Sequence, residues 1–205
     1  MSSGLVVVDY GGSNLRSVMK ALEFLGQAPT VVTDPDQMVG AAAVVLPGVG
    51  AAGQIMASLR SHGLDEALQE FIHSGQPFLG VCMGMQVLMD RSEEDGGQDC
   101  LGILRGEVEK IPPIEKVPHM GWNTVEQRQN HPIWAGIPDQ SYFYFVHSYA
   151  VQPADAQVVA GRTEYVLPFA SAVARDNIFG TQFHPEKSGK HGLQLYQNFV
   201  AWALK

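Results

Sequence analysis

Phe78-Leu79-Gly80-Val81-Cys82-Met83-Gly84-Met85-Gln86 is the stretch that decides the fold. A short apolar run ends at a cysteine with glycine two residues before it and two after, and a helical pattern follows over Met83–Met89. That is the layout of a nucleophile elbow, a tight strand-to-helix turn that presents one reactive side chain. Such a turn crowds the backbone on both sides of the nucleophile, which is what the flanking glycines relieve. The N-terminus of a helix favours a negatively charged sulfur at Cys82. The backbone N–H of Met83 would face a developing oxyanion. Taken alone, so short a motif also fits a buried structural cysteine.

Outward from the elbow, the first half alternates short β-branched runs with helical stretches. Strands are expected at Leu5–Asp9, Thr30–Thr33, Ala43–Leu46 and Pro77–Val81, and a helix at about Leu15–Leu25. One or two further helices are expected over Gln54–His73, broken near His62-Gly63. This alternation predicts a parallel sheet covered on both faces. The second half reads as strands at Gly106–Ile111, Asn123–Gln127, Tyr142–His147, Val158–Arg162, Ala170–Arg175 and Ile178–Phe183. Asp176-Asn177 fits a tight hairpin turn, and Asp90–Gln98 reads as a solvated acidic loop. The chain closes on an amphipathic helix near Gly189–Leu204, with Leu193, Tyr196, Phe199 and Val200 at helical spacing. The expectation is a single α/β domain, three-layered, around a central mixed and mostly parallel sheet.

Composition narrows the function. The 205 residues suit one domain with one core, and 45% hydrophobic against 17% charged residues is ordinary for a globular chain. A net charge of −8 with no Lys/Arg stripe disfavours nucleic acid as a partner. The apolar runs Leu5–Val8 and Ala41–Leu46 are too short for a signal peptide or a membrane span, so a cytoplasmic protein with no membrane association is expected. With only Cys82 and Cys100 present, a disulfide is improbable in that compartment and a zinc site has too few thiolates. His184 and His191 are wrongly spaced for a helical metal pair, and Gly11-Gly12 lacks dinucleotide-loop spacing. No metal and no organic cofactor is expected.

A second element gives Cys82 a partner. Thr181-Gln182-Phe183-His184-Pro185-Glu186 ends the last expected strand. A thiol nucleophile benefits from an imidazole base, and the base from a group that fixes its tautomer. In an extended segment, residues two apart share a side, so Glu186 could reach the His184 ring. By itself the tripeptide also fits a surface turn with a solvated glutamate. Together with the elbow it forms a candidate Cys82–His184–Glu186 triad.

The combination resembles the class I (triad) glutamine amidotransferases, whose Gly-X-Cys-X-Gly-X-Gln signature is matched by Gly80, Cys82, Gly84 and Gln86. The resemblance runs over residues 1–205 as one glutamine amidotransferase type-1 domain, and it implies a flavodoxin-like sheet. It implies that Cys82 attacks the side-chain amide of glutamine, that His184 serves the proton transfers, that Glu186 orients His184, and that Gln86 helps hold the substrate. Pro47-Gly48-Val49-Gly50 follows a strand, and its glycines permit backbone angles that turn an N–H of Val49 or Gly50 toward the oxyanion; a purely structural turn is the alternative. In the resembling family, the segment matched by His147-Ser148-Tyr149 lines the glutamine pocket.

Asp9-Tyr10-Gly11-Gly12-Ser13-Asn14 and Pro118-His119-Met120-Gly121-Trp122 are similar to the glutaminase subunits of imidazole glycerol phosphate synthases, except that Ser13 stands where a glycine is usual. That resemblance places Asn14 and Trp122 near a (β/α)₈-barrel cyclase subunit as heterodimer partner. The complex would pass ammonia to the cyclase, which turns the phosphoribulosyl-formimino carboxamide ribotide (PRFAR) into imidazole glycerol phosphate and an aminoimidazole carboxamide ribotide (AICAR) in histidine biosynthesis. Alternatives are the glutaminases of anthranilate, aminodeoxychorismate or pyridoxal phosphate synthesis, a general cysteine hydrolase, and a non-catalytic scaffold on the same fold.

Overall fold

The structure is a computed structural model of the chain and describes residues 4–12 and 15–204. In chain order the elements are β1 (Leu5–Val8), α1 (Leu15–Phe24), β2 (Thr30–Val32), β3 (Ala43–Gly48), α2 (Ala52–Ser61), α3 (Leu64–His73), β4 (Phe78–Cys82) and α4 (Met83–Gln86). They continue with β5 (Arg91–Ser92), β6 (Gln98–Asp99), β7 (Gly106–Lys110), β8 (His119–Gln127), β9 (Ser141–His147) and β10 (Tyr149–Pro153). The last are β11 (Val159–Tyr165), β12 (Leu167–Arg175), β13 (Ile178–Thr181) and α5 (Gly189–Ala203).

The main sheet has nine strands in the order β2-β1-β3-β4-β13-β12-β11-β8-β9. The strands β2, β1, β3, β4 and β13 run parallel, and the rest join in antiparallel pairs. The four central parallel strands are buried along their length, as continuous apolar runs should be: β1, β3, β4 and β13 have no exposed residue, whereas the edge strand β2 is partly exposed. Crossovers between parallel strands are right-handed as a rule, and β1 to β2 runs the opposite way along the sheet from β3 to β4, so α1 and the α2–α3 pair belong on opposite faces. The helix α5 packs beside α1, which completes three layers of mixed α/β architecture, as expected. On α5, Leu195, Tyr196 and Phe199 are fully buried, with Leu193 and Val200 partly buried beside them. A smaller sheet, β10-β7-β5-β6, lies alongside.

Three differences from the sequence reading have local causes. The helix after Cys82 stops at Gln86, because the carbonyls of Val87, Leu88 and Met89 accept the N–H groups of Leu101, Gly102, Ile103 and Leu104. The strand β8 begins at His119, four residues earlier than expected, where it pairs with the end of β9. The segment Asp90–Gln98 is an ordered structure, with β5, a 3-10 turn at Glu94–Gly96 and the start of β6.

The elbow is packed with no space to spare. A Cβ on Gly84 would lie 1.9 Å from the Leu46 carbonyl oxygen, one on Gly80 would lie 2.4 Å from the Gly84 carbonyl oxygen, and one on Gly48 would lie 2.5 Å from Met83 Cβ. Gly84→Ala should therefore destabilise the protein by about 3 kcal/mol or more, the upper range for overpacking. Gly53→Ala, where the nearest obstacle is the Gln98 side chain at 3.1 Å, should shift stability by no more than about 1 kcal/mol. Urea denaturation of both variants checks this; similar midpoints would contradict it.

Candidate active site

Cys82 is the last residue of β4 and adopts φ 55°, ψ −107°, a region that side chains other than glycine rarely enter. Holding it there costs about 1–3 kcal/mol, which the surrounding packing must supply. The side chain is buried, and Met83 follows as the first residue of α4, so its N–H has no partner within the helix.

His184 lies beyond β13, and the far edge of the sheet curls back to meet it. The His184 N–H donates to the Tyr144 carbonyl of β9 (2.9 Å), and the Tyr144 N–H donates to Ser188 Oγ (3.0 Å). The Ser188 hydroxyl in turn donates to the His184 carbonyl (2.6 Å). Phe143 and Phe145 of β9 pack on Phe183, the first pair stacked at 4.1 Å between centroids. His184 and Glu186 do meet, through a turn rather than extended alternation. Pro185 starts a 3-10 turn over Pro185–Lys187 that carries the carboxylate back to the ring. The His184 Nδ1–H donates to Glu186 Oε1 at 2.8 Å, with both side chains buried. Glu186 Oε2 accepts from the Tyr196 hydroxyl at 3.4 Å. Gly192 allows α5 to approach this turn, because a Cβ there would lie 1.8 Å from the Pro185 carbonyl oxygen.

With Nδ1 engaged, Nε2 is the nitrogen left for Cys82. Burial alone pushes the imidazole down. The charge and hydrogen bond of the Cys82 sulfur, with the bond and charge of Glu186, reverse that and raise it to about 10. Cys82, His184 and Glu186 thus form one connected array at the C-terminal ends of parallel strands, where open α/β sheets place their ligands.

A cavity of about 310 Å³ opens on Cys82. Its walls include Val49, Gly50, Met83, Gln86, His147, Ser148 and Tyr149, together with His184. The Gln86 amide nitrogen donates to the Tyr149 carbonyl (2.9 Å) and to Gln182 Oε1 (2.9 Å), and Gln182 Nε2 lies 3.6 Å from Cys82 Sγ. The Val49 N–H donates to the Tyr10 hydroxyl at 3.2 Å, so it is not offered to the cavity.

Trp122 sits away from this cavity, on β8, 55% exposed and edge-on to Tyr144. Met120 and Tyr142 are exposed on the same pair of strands. Asn14 and Ser13 lie outside the described residues. Sequence reasoning missed Glu94, which stands in the wall of the cavity while its Oε2 accepts the Ala52 N–H (2.7 Å) near the start of α2. Desolvation raises its pKa above the usual carboxylate value. In the sequence it reads as a solvated loop residue, since nothing local marks its contact with a backbone group 42 residues away. Gln182 stands within Thr181–Glu186, and its contact with Gln86 is with a residue 96 positions away that the local sequence does not mark.

Residues 6–202 match the family Glutamine amidotransferase class-I. The imidazole glycerol phosphate synthase subunit HisH of Dehalococcoides mccartyi (strain CBDB1) is 51% identical over 200 residues, covering 98% of both chains. The subunit of the same name from Desulfitobacterium hafniense (strain DSM 10664 / DCB-2) is 47% identical over 196 residues, covering 96% of this chain and 93% of its own. Among solved structures, one described as a glutamine amidotransferase superposes with a TM-score of 0.77 at 22% identity, covering 97% of this chain and 98% of its own. PurLQS from Thermotoga maritima gives 0.78 at 20% identity, with 97% of both chains covered. These two likenesses concern the fold.

Removing the carboxylate charge from the imidazole's neighbourhood should lower its pKa. In Glu186→Gln, NMR titration of His184 should therefore shift to lower pH than in the unmodified protein; an unmoved titration would remove Glu186 as a cause of the shift.

Proposed function

The chain belongs to the class-I glutamine amidotransferase family, and from that premise we infer that it is the glutaminase subunit of an imidazole glycerol phosphate synthase. The observation that carries the reading is the buried Cys82–His184–Glu186 array beside a cavity of about 310 Å³. Its walls include Gln86 and His147-Ser148-Tyr149, the residues that the family resemblance assigns to the glutamine pocket, which supports the reading. Identity near 50% to HisH subunits over almost the whole chain selects the pathway among the amidotransferases.

In this reading glutamine enters with its side-chain amide toward Cys82. The sulfur, its proton taken up by His184 Nε2, attacks the amide carbon, and the Met83 N–H stabilises the oxyanion. His184, held by Glu186 in the orientation that turns Nε2 to the sulfur, protonates the nitrogen as the carbon–nitrogen bond breaks. Ammonia leaves and a glutamyl thioester remains. His184 then takes a proton from water, which adds to the thioester carbon; glutamate departs and the thiol is restored. Glu94 is the acid in the pocket wall, and it suits the α-ammonium end of the substrate.

The ammonia goes to a (β/α)₈-barrel cyclase subunit, which docks on the exposed Met120–Trp122 face and converts PRFAR to imidazole glycerol phosphate and AICAR. The heterodimer works in the cytoplasm, and no described helix is long and apolar enough to cross a membrane. Because Tyr10 holds the Val49 N–H, the loop after β3 that could add a second oxyanion donor is not yet turned to the cavity. The isolated chain is therefore nearly silent, and the partner with its ligand raises its activity by coupling between the sites.

Glutamate release by the chain, alone and with a cyclase subunit plus its ribotide ligand, tests the reading. Strong stimulation by both together is expected, and high activity from the chain alone would overturn the gating. Cys82→Ala should abolish glutamine-dependent synthesis in the complex while added ammonia still supports it. His184→Ala should lower glutaminase turnover by about 10²–10⁴-fold, as loss of a general acid/base does.

A further inference from the structure

In and behind the wall of the cavity lies a group of side chains that the triad does not use. His119, the first residue of β8, is the cross-strand partner of His147, the last residue of β9, and both are buried. His119 Nδ1 lies 2.9 Å from His147 Nε2. His147 Nδ1 lies 2.8 Å from the Tyr149 carbonyl oxygen, and His119 Nε2 lies 3.3 Å from Asn123 Nδ2.

The two ends dictate the direction of every bond. A carbonyl only accepts, so His147 Nδ1 carries its proton and, in a neutral ring, Nε2 is the acceptor. His119 must then donate from Nδ1, which leaves its Nε2 to accept from the Asn123 amide. The Asn123 end is pinned independently. Its Oδ1 accepts the Thr124 N–H at 2.8 Å and its Nδ2 donates to the Glu164 carbonyl at 3.0 Å, so the amide cannot be flipped. Burial pushes both imidazoles down, His119 to about 4 and His147 to about 3, so both rings are neutral near neutral pH. The His119 ring is stacked by Tyr165 at 4.0 Å and by Phe145 at 4.9 Å, which restrains its tilt.

At one end of this array the Tyr149 carbonyl also accepts from Gln86, whose amide nitrogen donates to Gln182 beside the Cys82 sulfur. At the other end β8 carries the exposed side chains of Met120 and Trp122. We propose that Asn123, His119 and His147 form a one-way relay of neutral hydrogen bonds that fixes the Tyr149 carbonyl, and through it the Gln86 amide, relative to the exposed face of β8. His119 is thereby a positioning residue for the glutamine pocket, and this role rests on the glutaminase reading of the cavity. The relay needs a donor at the place of His119 Nδ1, whereas packing alone needs only a flat ring between Phe145 and Tyr165.

Two variants separate these requirements. His119→Phe keeps the stacking and removes the donor; His119→Asn loses the stacking but places Nδ2 where Nδ1 was. In the complex with a cyclase subunit, His119→Phe should lower kcat/KM for glutamine about tenfold, the effect of one lost buried hydrogen bond, mostly through KM. His119→Asn should recover most of that loss, and ammonia-dependent synthesis should be the same in both. Equal KM values in the two variants and the unmodified complex would overturn the proposal. A second readout is independent of activity. Side-chain ¹H–¹⁵N spectra of the unmodified chain should show both histidines protonated on Nδ1 alone across about pH 5–8, the range in which an ordinary histidine titrates. A proton on Nε2 of either ring would overturn the relay. Should the complex release no glutamate at all, the glutaminase reading fails and these spectra alone decide the hydrogen-bond array.

Discussion

The backbone of Cys82 is the constraint on which the rest of the structure depends. A side chain at φ 55°, ψ −107° is stable only where neighbouring elements leave no alternative. Here Gly48 at the end of β3, Gly80 within β4 and Gly84 in α4 bring three segments within backbone contact. No side chain fits at any of these points. The cysteine is thus held at the tip of the turn by its surroundings, with a helix starting at the next residue. Strain at Cys82 and close packing of the elbow are two sides of one arrangement.

The antiparallel half of the sheet completes the site. Were the sheet flat, β9 would lie far from β4, since four strands separate them in the order. Instead the edge curls until Tyr144 and Ser188 clip β9 to the segment that follows β13. That clip sets the His184 backbone, the Pro185–Lys187 turn sets Glu186, and the buried Tyr196 of α5 closes the array from beneath. The same curl brings His147-Ser148-Tyr149 over the elbow and leaves Met120 and Trp122 on the outside. Pocket and exposed face are therefore two sides of a single pair of strands.

Much of this was legible in the sequence, for identifiable reasons. Buried parallel strands are continuous apolar runs, and β1, β3 and β4 are visible as such. The His62-Gly63 break between α2 and α3 was readable because Gly63 sits at φ 67° just before α3 begins. The tight turn at Cys82 and the meeting of His184 with Glu186 were legible because each is encoded within a few residues. What escaped depends on distant partners. Tyr149–Pro153 is a strand because β7 pairs with it, not because its own pattern is strong. Glu94 reads as solvent-facing until the start of α2 is placed against it. His119 and His147 are lone histidines in sequence, and only the register of β8 against β9 makes them a pair. Asn14, singled out by resemblance, lies outside the described residues.

We propose that Cys82 alone carries the glutamine chemistry: burial pushes the Cys100 thiol up to about 11, which keeps it protonated. Labelling with a glutamine-like diazo-ketone, followed by mass spectrometry of the digested protein, tests this directly. The account predicts one adduct, on the peptide containing Cys82, suppressed by excess glutamine and absent in His184→Ala. Labelling at Cys100, or labelling of Cys82 that neither glutamine nor the loss of His184 affects, would contradict it.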